Sequence, residues 1–195
     1  MNTRALLLAG AAVTAFSSAA HAERGAQGQL NMIFWQAPST LNLYLSTGTK
    51  DITAASLVLE PLANFDAKGD LVAKLAAEIP TLENGGVAQD GKSITWKLKD
   101  GVKWSDGTPL TAEDVKFTAE YCMDESGGCA QAAKFTGISS VEVVDPLTVK
   151  INFTEARPYP YSAFVGGQAP IIQKAQFQDC TGERAPTCTQ QNFGP

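Results

Sequence analysis

The chain has 195 residues, of which 44% are hydrophobic and 18% are charged, a composition typical of a globular protein with a buried core. Its formal net charge is −5, and the sequence contains no cluster of lysine and arginine. This acidic balance argues against nucleic acid or an anionic membrane surface as a partner. The length suffices for one domain or two small lobes.

The N-terminus has the pattern of a cleavable export signal. Arg4 supplies a positive charge, residues 5–16 form an apolar run too short to span a bilayer, and Ala20-His21-Ala22 is a small-x-small cleavage pattern. The pattern predicts cleavage after Ala22 and export to a Gram-negative periplasm. His21 is the only histidine, so the mature protein would have none, which excludes Ser-His-Asp catalysis and His-ligated zinc.

Residues 29–35 are predicted as the first strand, with apolar side chains on both faces, as in a central strand covered on both sides. The loop at 36–42 follows directly. Ligands of α/β proteins bind beyond the carboxyl ends of strands, so this region is the predicted binding site. Trp35 would stack on the ligand and Asn42 would hydrogen-bond to it. The alternatives are a core position for Trp35 and an ordinary connecting loop. The predicted ligand-binding residues are Trp35, Gln36, Ala37, Thr40 and Asn42.

Residues 50–62 have apolar side chains at helical spacing, and Pro61 ends this predicted helix. Residues 71–77 form a short apolar segment that Pro80 interrupts. Two glycine-containing turns then lead into the segment that begins at Ser93.

Residues 93–121 are predicted as a strand, two turns and a capped helix in direct succession. The turns are Asp100-Gly101 and Asp106-Gly107. Thr111 is the predicted N-cap of the helix, and Asp114 has the spacing of the acid in a capping box. The apolar positions of the strand alternate with polar ones: Ile94, Trp96 and Leu98.

The four cysteines, Cys122, Cys129, Cys180 and Cys188, all lie in the second half of the chain. In an exported protein an even number of cysteines indicates disulfides, and four cysteines allow three pairings. The local pairing, Cys122 with Cys129 and Cys180 with Cys188, is favoured because each bond would close a short loop. A zinc site is the alternative, but neither pair has the spacing of a zinc knuckle.

The remaining segments are a hairpin and an irregular tail. Residues 141–153 are predicted as two strands that turn at Asp145-Pro146. Residues 158–164 start a helix or a loop, and residues 170–172 are predicted as a short strand. The tail at 176–195 is polar and irregular apart from the predicted cysteine loop.

Residues 98–115, LKDGVKWSDGTPLTAEDV, resemble the signature of the family 5 extracellular solute-binding proteins, the peptide and nickel class of receptors for ABC importers. Residues 74–80 and 90–96 extend the resemblance. It implies an α/β protein, namely the truncated N-terminal part of a two-lobed periplasmic-binding-protein fold, with mixed sheets and flanking helices.

The resemblance also implies a division of the chain into four parts. Residues 1–22 would be the signal peptide, 23–60 the start of the first lobe, 61–165 its smaller subdomain, and 166–195 the return to the first lobe. Family members continue with a second large lobe. We therefore expect apolar surface meant for the missing strands to be exposed, and we expect the mature product alone to aggregate or form a molten globule.

The function implied by the resemblance is that of the periplasmic substrate-binding component of an ABC importer. Such a protein binds a solute non-covalently, which the resemblance implies to be a peptide, and delivers it to permease subunits in the inner membrane. It would need no cofactor or catalytic residue and would be a monomer at full length. The alternatives are an exported carboxylate-dependent hydrolase, although no pair of carboxylates is evident, and an interaction module of the envelope.

Overall fold

A computed structural model of the chain describes Gly28 and residues 32–188. The predicted signal peptide therefore lies outside the described residues. The chain divides into two units between Phe34 and Trp35. Residues 32–34, which belong to the first unit, form neither helix nor strand. The helices and strands that follow all belong to the second unit.

The predicted first strand is absent from the described part of its range. Residues 32–35 form no strand, and Ile33 and Trp35 are largely exposed instead of covered on both faces. The two described sheets contain no strand from this segment. An apolar pattern alone does not make a strand, because the backbone needs a neighbouring strand to satisfy its hydrogen bonds. Residues 29–31 lie outside the described range.

The second unit begins with two short helices and a small hairpin. A 3-10 turn at Leu43–Leu45 precedes helix α1, Thr49–Ala55. Strands β1, Ala63–Phe65, and β2, Leu71–Ala73, pair antiparallel. The helix predicted at 50–62 is thus shorter than expected. After Ala55 the Leu57 and Val58 N–H groups bond only three residues back, as in a turn, and the Leu62 N–H donates to the distant Phe164 carbonyl at 2.9 Å instead of continuing the helix.

The main sheet has three antiparallel strands in the order β3-β5-β4. They are β3, Ser93–Lys97, β4, Ile138–Asp145, and β5, Thr148–Phe153. Trp96 lies opposite Val149 in the ladder between β3 and β5. The predicted alternation is confirmed, because the apolar positions of both strands are buried and the polar positions between them are partly exposed.

Helix α2, Ala112–Met123, packs on this sheet through β4 and β5. Its predicted capping box is confirmed: Oδ2 of Asp114 accepts the backbone N–H of Thr111 at 2.9 Å. A 3-10 turn at Glu125–Gly127 and another at Ala132–Lys134 follow it. The chain then enters β4.

The last described segment returns along the core. Residues 170–172 form no strand, contrary to the prediction, because the Ile172 N–H donates to the Thr118 hydroxyl at 3.0 Å and not to a strand ladder. Helix α3, Lys174–Phe177, and a 3-10 helix at Gly182–Cys188 end the described chain.

The core forms where α2, the sheet and the return segment meet. Its largest fully buried side chains include Tyr44, Trp96, Phe164 and Phe177. Ring pairs connect parts of this core, such as Tyr44 with Phe135, whose centroids are 6.1 Å apart. Within the residues that the structure describes, no helix is both long and apolar enough to cross a lipid bilayer.

The first of the two favoured cysteine pairs is bonded in the structure. The structure joins Cys122 and Cys129 in a disulfide with Cα atoms 5.1 Å apart. Cys180 is also disulfide-bonded. The side chain of Cys188, its predicted partner, lies outside the described part of the chain.

Candidate functional site

The five predicted binding residues separate into an exposed group and a buried group. Trp35, Gln36 and Ala37 are exposed, and Trp35 keeps 69% of its surface accessible. Thr40 and Asn42 are buried. An exposed indole is accessible to a ligand, whereas a buried polar side chain influences a ligand only through the backbone that it holds.

Asn42 uses its polar atoms inside the protein. Its Oδ1 accepts the backbone N–H of Tyr44 at 3.1 Å and so caps the first 3-10 turn. Its Nδ2 donates to the Tyr121 hydroxyl at 3.1 Å. Its own backbone N–H donates to Oγ1 of Thr40 at 3.0 Å. These bonds fix the end of the predicted loop to α2.

Asp51 anchors the same loop from α1, with only 2% of its side chain exposed. Its Oδ1 accepts the Ser39 N–H at 2.6 Å and its Oδ2 accepts the Ser46 hydroxyl at 2.6 Å, while Nζ of Lys50 lies 2.9 Å from Oδ1. Burial raises the pKa of Asp51, but hydrogen bonds from Ser46, Lys50 and the backbone of Ser39 and Thr40 outweigh it and lower the pKa to about 2. The carboxylate is therefore ionised at neutral pH.

A cavity of about 540 Å³ opens beside Leu41 of this loop. Its volume lies within the range of small-molecule sites, and its wall is mostly apolar. The carboxylate of Glu60 and the ammonium of Lys103 are the charged groups among the lining residues. The apolar lining includes Leu41, Leu59, Leu75, Trp104, Leu110 and Ile171.

Two further acidic residues near the cavity, Asp106 and Asp114, hold elements together. Asp114 accepts the Trp104 indole N–H at 3.3 Å and the Lys174 backbone N–H at 2.9 Å. Hydrogen bonds from Thr108 and from Gln173 lower the pKa of Asp106, whereas a general acid needs a raised pKa. Among the described residues, no group of three or more histidine, cysteine or acidic side chains could hold a metal ion.

Three residues that support the loop were not identified from the sequence: Asp51, Tyr121 and Gln131. Asp51 had a local signal, because acids are favoured in the first turn of a helix. Tyr121 and Gln131 had none, because their partners Asn42 and Leu43 are 79 and 88 residues away along the chain.

Comparison with known proteins places the chain among binding proteins. The family model described as "Bacterial extracellular solute-binding proteins, family 5 Middle" matches residues 70–190. The glutathione-binding protein GsiB of Escherichia coli (strain K12) is 30% identical over 127 residues, which cover 65% of this chain and 23% of GsiB.

Two solved structures share the fold. The oligopeptide-binding protein AppA from Bacillus subtilis, in complex with a nonapeptide, has a TM-score of 0.70 and 19% identity, covering 80% of this chain and 30% of AppA. The ABC transporter substrate binding protein CtaP from Listeria monocytogenes has a TM-score of 0.63 and 25% identity, covering 76% of this chain and 29% of CtaP. The chain thus spans less than a third of each relative, and the predicted fold class is confirmed.

Proposed function

The chain belongs to the bacterial extracellular solute-binding proteins of family 5, and from this membership we propose that it is part of the substrate-binding component of an ABC importer. The family match over residues 70–190 carries the proposal. The likeness to CtaP, which is described as such a component, supports it. The protein would bind a solute non-covalently, deliver it to permease subunits in the inner membrane, and catalyse no reaction.

The proposed solute is a peptide. GsiB is described as a glutathione-binding protein, and glutathione is itself a tripeptide. An apolar cavity with one carboxylate and one ammonium among its lining groups is compatible with a zwitterionic solute that carries apolar side chains. No covalent step is needed, because affinity would come from a largely preformed cleft that closes on the solute.

We assign the proposed contacts to the loop formed by Trp35, Gln36, Ala37, Thr40 and Asn42. Trp35 would stack on the ligand, since its indole is exposed, and Gln36 and Ala37 would contact it beside the indole. Thr40 and Asn42 would act by holding the loop, since both are buried and Asn42 bonds to Tyr121.

Retention of intact peptides tests this function. The full-length gene product, purified from the periplasm, is incubated with a peptide mixture, separated by gel filtration and analysed by mass spectrometry. We expect intact peptides in the protein fraction. Shortened peptides would indicate a hydrolase, and recovery of no peptide would contradict a peptide receptor.

Trp35→Ala sharpens this test. Loss of one stacking aromatic side chain should weaken peptide binding about three- to tenfold in calorimetry. Tyr159→Ala is the matched control, because Tyr159 is 56% exposed but lies outside the proposed loop. Equal peptide affinities for the two variants would show that Trp35 does not contact the ligand.

The last part of the proposed function is export of the chain to the periplasm. Residues 1–22 would direct the chain to the periplasm, an oxidising compartment in which the Cys122–Cys129 and Cys180–Cys188 bonds form, and the full-length protein would act as a monomer. Residues 23–60, 61–165 and 166–195 would be the start, the smaller subdomain and the return of the first lobe. Mass spectrometry of the periplasmic product should find Glu23 as its first residue. A product that retains Met1 would contradict this export route.

A further inference from the structure

Residues 42–46 continue the proposed binding loop. They are hydrogen-bonded to residues just before and just after the loop that the Cys122–Cys129 disulfide closes. Just before the disulfide loop, the Tyr121 hydroxyl accepts Nδ2–H of Asn42 at 3.1 Å. Just after it, the Ala130 N–H donates to the Tyr44 carbonyl at 2.7 Å. Nε2 of Gln131 donates to the Ser46 carbonyl at 3.2 Å.

These contacts are buried or partly buried, and they join parts of the chain that are distant in sequence. Gln131 is 7% exposed and Asn42 is 1% exposed. A buried carbonyl or amide that loses its partner costs free energy, so each contact resists displacement of residues 42–46. Residues 42–46 are thus bonded both to Tyr121 of α2 and to residues 130–131. All of these bonds can exist together only while residues 130–131 keep their position relative to α2.

The Cys122–Cys129 disulfide links α2 covalently to the residue that precedes Ala130. Cys122 lies in the last turns of α2 and is 3% exposed, so it is fixed by the packing of the helix. Cys129 directly precedes Ala130. The residues between the two cysteines make short-range bonds, such as the Ser126 N–H to Oδ1 of Asp124 at 3.0 Å, in a turn that also packs against the 3-10 helix at Gly182–Cys188. Exposed local bonds of this kind stabilise a loop only weakly, so the disulfide and this packing are the two groups of contacts that hold the turn.

We propose that the Cys122–Cys129 disulfide positions the ligand-binding loop by holding residues 130–131 against residues 42–46. Residues 42–46 in turn position the binding loop. The backbone N–H of Asn42 bonds to Thr40, and the Ser46 hydroxyl bonds to Asp51, which also binds the Ser39 N–H. The consequence for ligand affinity rests on the proposed function. The consequence for the mobility of the loop does not.

Hydrogen exchange measures that mobility in the full chain. Mass spectrometry under non-reducing conditions first establishes that Cys122 and Cys129 are bonded. In the double variant Cys122→Ser, Cys129→Ser we expect the amides of Tyr44, Leu45 and Ala130 to exchange at least about tenfold faster than in the wild type. The amides of β3 and β5 should be unchanged and serve as the internal reference.

Two further variants separate positioning from general destabilisation. Cys180→Ser, Cys188→Ser removes the same chemical groups but no residue bonded to 42–46, and it perturbs the helix that packs on residues 125–127. The amides of Tyr44 and Leu45 should keep their wild-type rates in it, because the Cys122–Cys129 bond, and not this packing, positions residues 130–131.

Gln131→Ala leaves the disulfide intact but removes the bond to Ser46, so it should accelerate exchange at Tyr44 and Leu45. Gln131→Ala tests the contact between residues 131 and 46 separately from the disulfide. If the double serine variant fails to fold, reduction of the folded wild-type protein with dithiothreitol tests the disulfide itself by the same exchange measurement.

Peptide affinity, measured on the same proteins, completes the test. We expect Cys122→Ser, Cys129→Ser and Gln131→Ala to weaken binding about three- to tenfold, because a less ordered loop must be ordered on binding. Unchanged exchange in both variants would overturn the positioning role. Faster exchange with unchanged affinity would overturn its link to the ligand. A wild-type protein that binds no peptide would instead refute the proposed function, whatever the exchange rates.

Discussion

At the scale of single residues, the proposed binding loop depends on one buried carboxylate. Asp51 receives hydrogen bonds from the backbone of Ser39 and from the hydroxyl of Ser46, which lie on either side of residues 40–45. Gly48 permits this approach, because a Cβ there would lie 3.0 Å from Oδ2 of Asp51. A neutral side chain at position 51 would lose charge-assisted bonds that the loop cannot replace with water.

The pKa of Asp51 predicts a pH dependence of stability. Its folded pKa of about 2 lies below the ordinary value of 3.8, so the stabilisation is complete above pH 3.8 and is lost as the pH falls through about 2. Urea unfolding at pH 6 should show Asp51→Asn to be less stable than wild type by about 1–2 kcal/mol. The difference should shrink toward pH 2. A difference independent of pH would contradict this explanation.

Asp66→Asn is the matched control for that measurement. Oδ1 of Asp66 accepts the Lys68 and Asp70 N–H groups in an exposed turn, and an amide oxygen accepts such bonds as well. The expected change in the free energy of unfolding is below about 0.5 kcal/mol.

At the scale of elements, the start of α2 connects three parts of the fold. Asp114 accepts the Thr111 N–H of the cap, the indole N–H of Trp104 from the segment between β3 and α2, and the Lys174 N–H of α3. The capping box was expected from the sequence, because it depends on two residues three positions apart. The bond to α3 was not, because Lys174 is 60 residues away from Asp114.

Asp114→Ala should therefore cost more than the loss of a cap. We expect a decrease of about 2–3 kcal/mol in the free energy of unfolding, since three donors lose one buried acceptor. Glu113→Ala is the control, because its ion pair with Lys174 is about half exposed on both side chains and should contribute at most about 1 kcal/mol. Equal costs for the two variants, measured by urea unfolding, would contradict the connecting role of Asp114.

At the scale of the whole molecule, the second unit leaves apolar surface uncovered beside the cavity at Leu41. Leu57 and Val58 are 56% and 61% exposed, and Val58 lines the cavity. Adjacent exposed aliphatic side chains of this kind mark surfaces that bind other apolar groups. The chain spans less than a third of the relatives compared above, so its surface is not that of the whole relatives.

Dye binding detects this surface. The chain should enhance the fluorescence of 8-anilinonaphthalene-1-sulfonate, and Val58→Asp should reduce that enhancement about twofold or more. Val144→Asp is the matched control, because Val144 is 60% exposed near the C-terminal end of β4 and is not among the residues that line the cavity. An equal reduction in both variants would exclude the cavity surface as the binding site.

The sequence by itself determined the features that depend on near neighbours. The alternation of Ile94 and Trp96, the hairpin at Asp145-Pro146, and the cap at Thr111 each follow from residues a few positions apart. The family signature at 98–115 includes one of these local features, the cap at Thr111.

Only the tertiary structure decided the features whose partners are distant in sequence. It placed Asn42 against Tyr121, ended α1 at Ala55, and left the described part of residues 29–35 outside any sheet. The physical reason is the same in each case. A hydrogen bond or a buried face needs a specific partner, and the side-chain period of a segment does not identify which distant residue will be that partner.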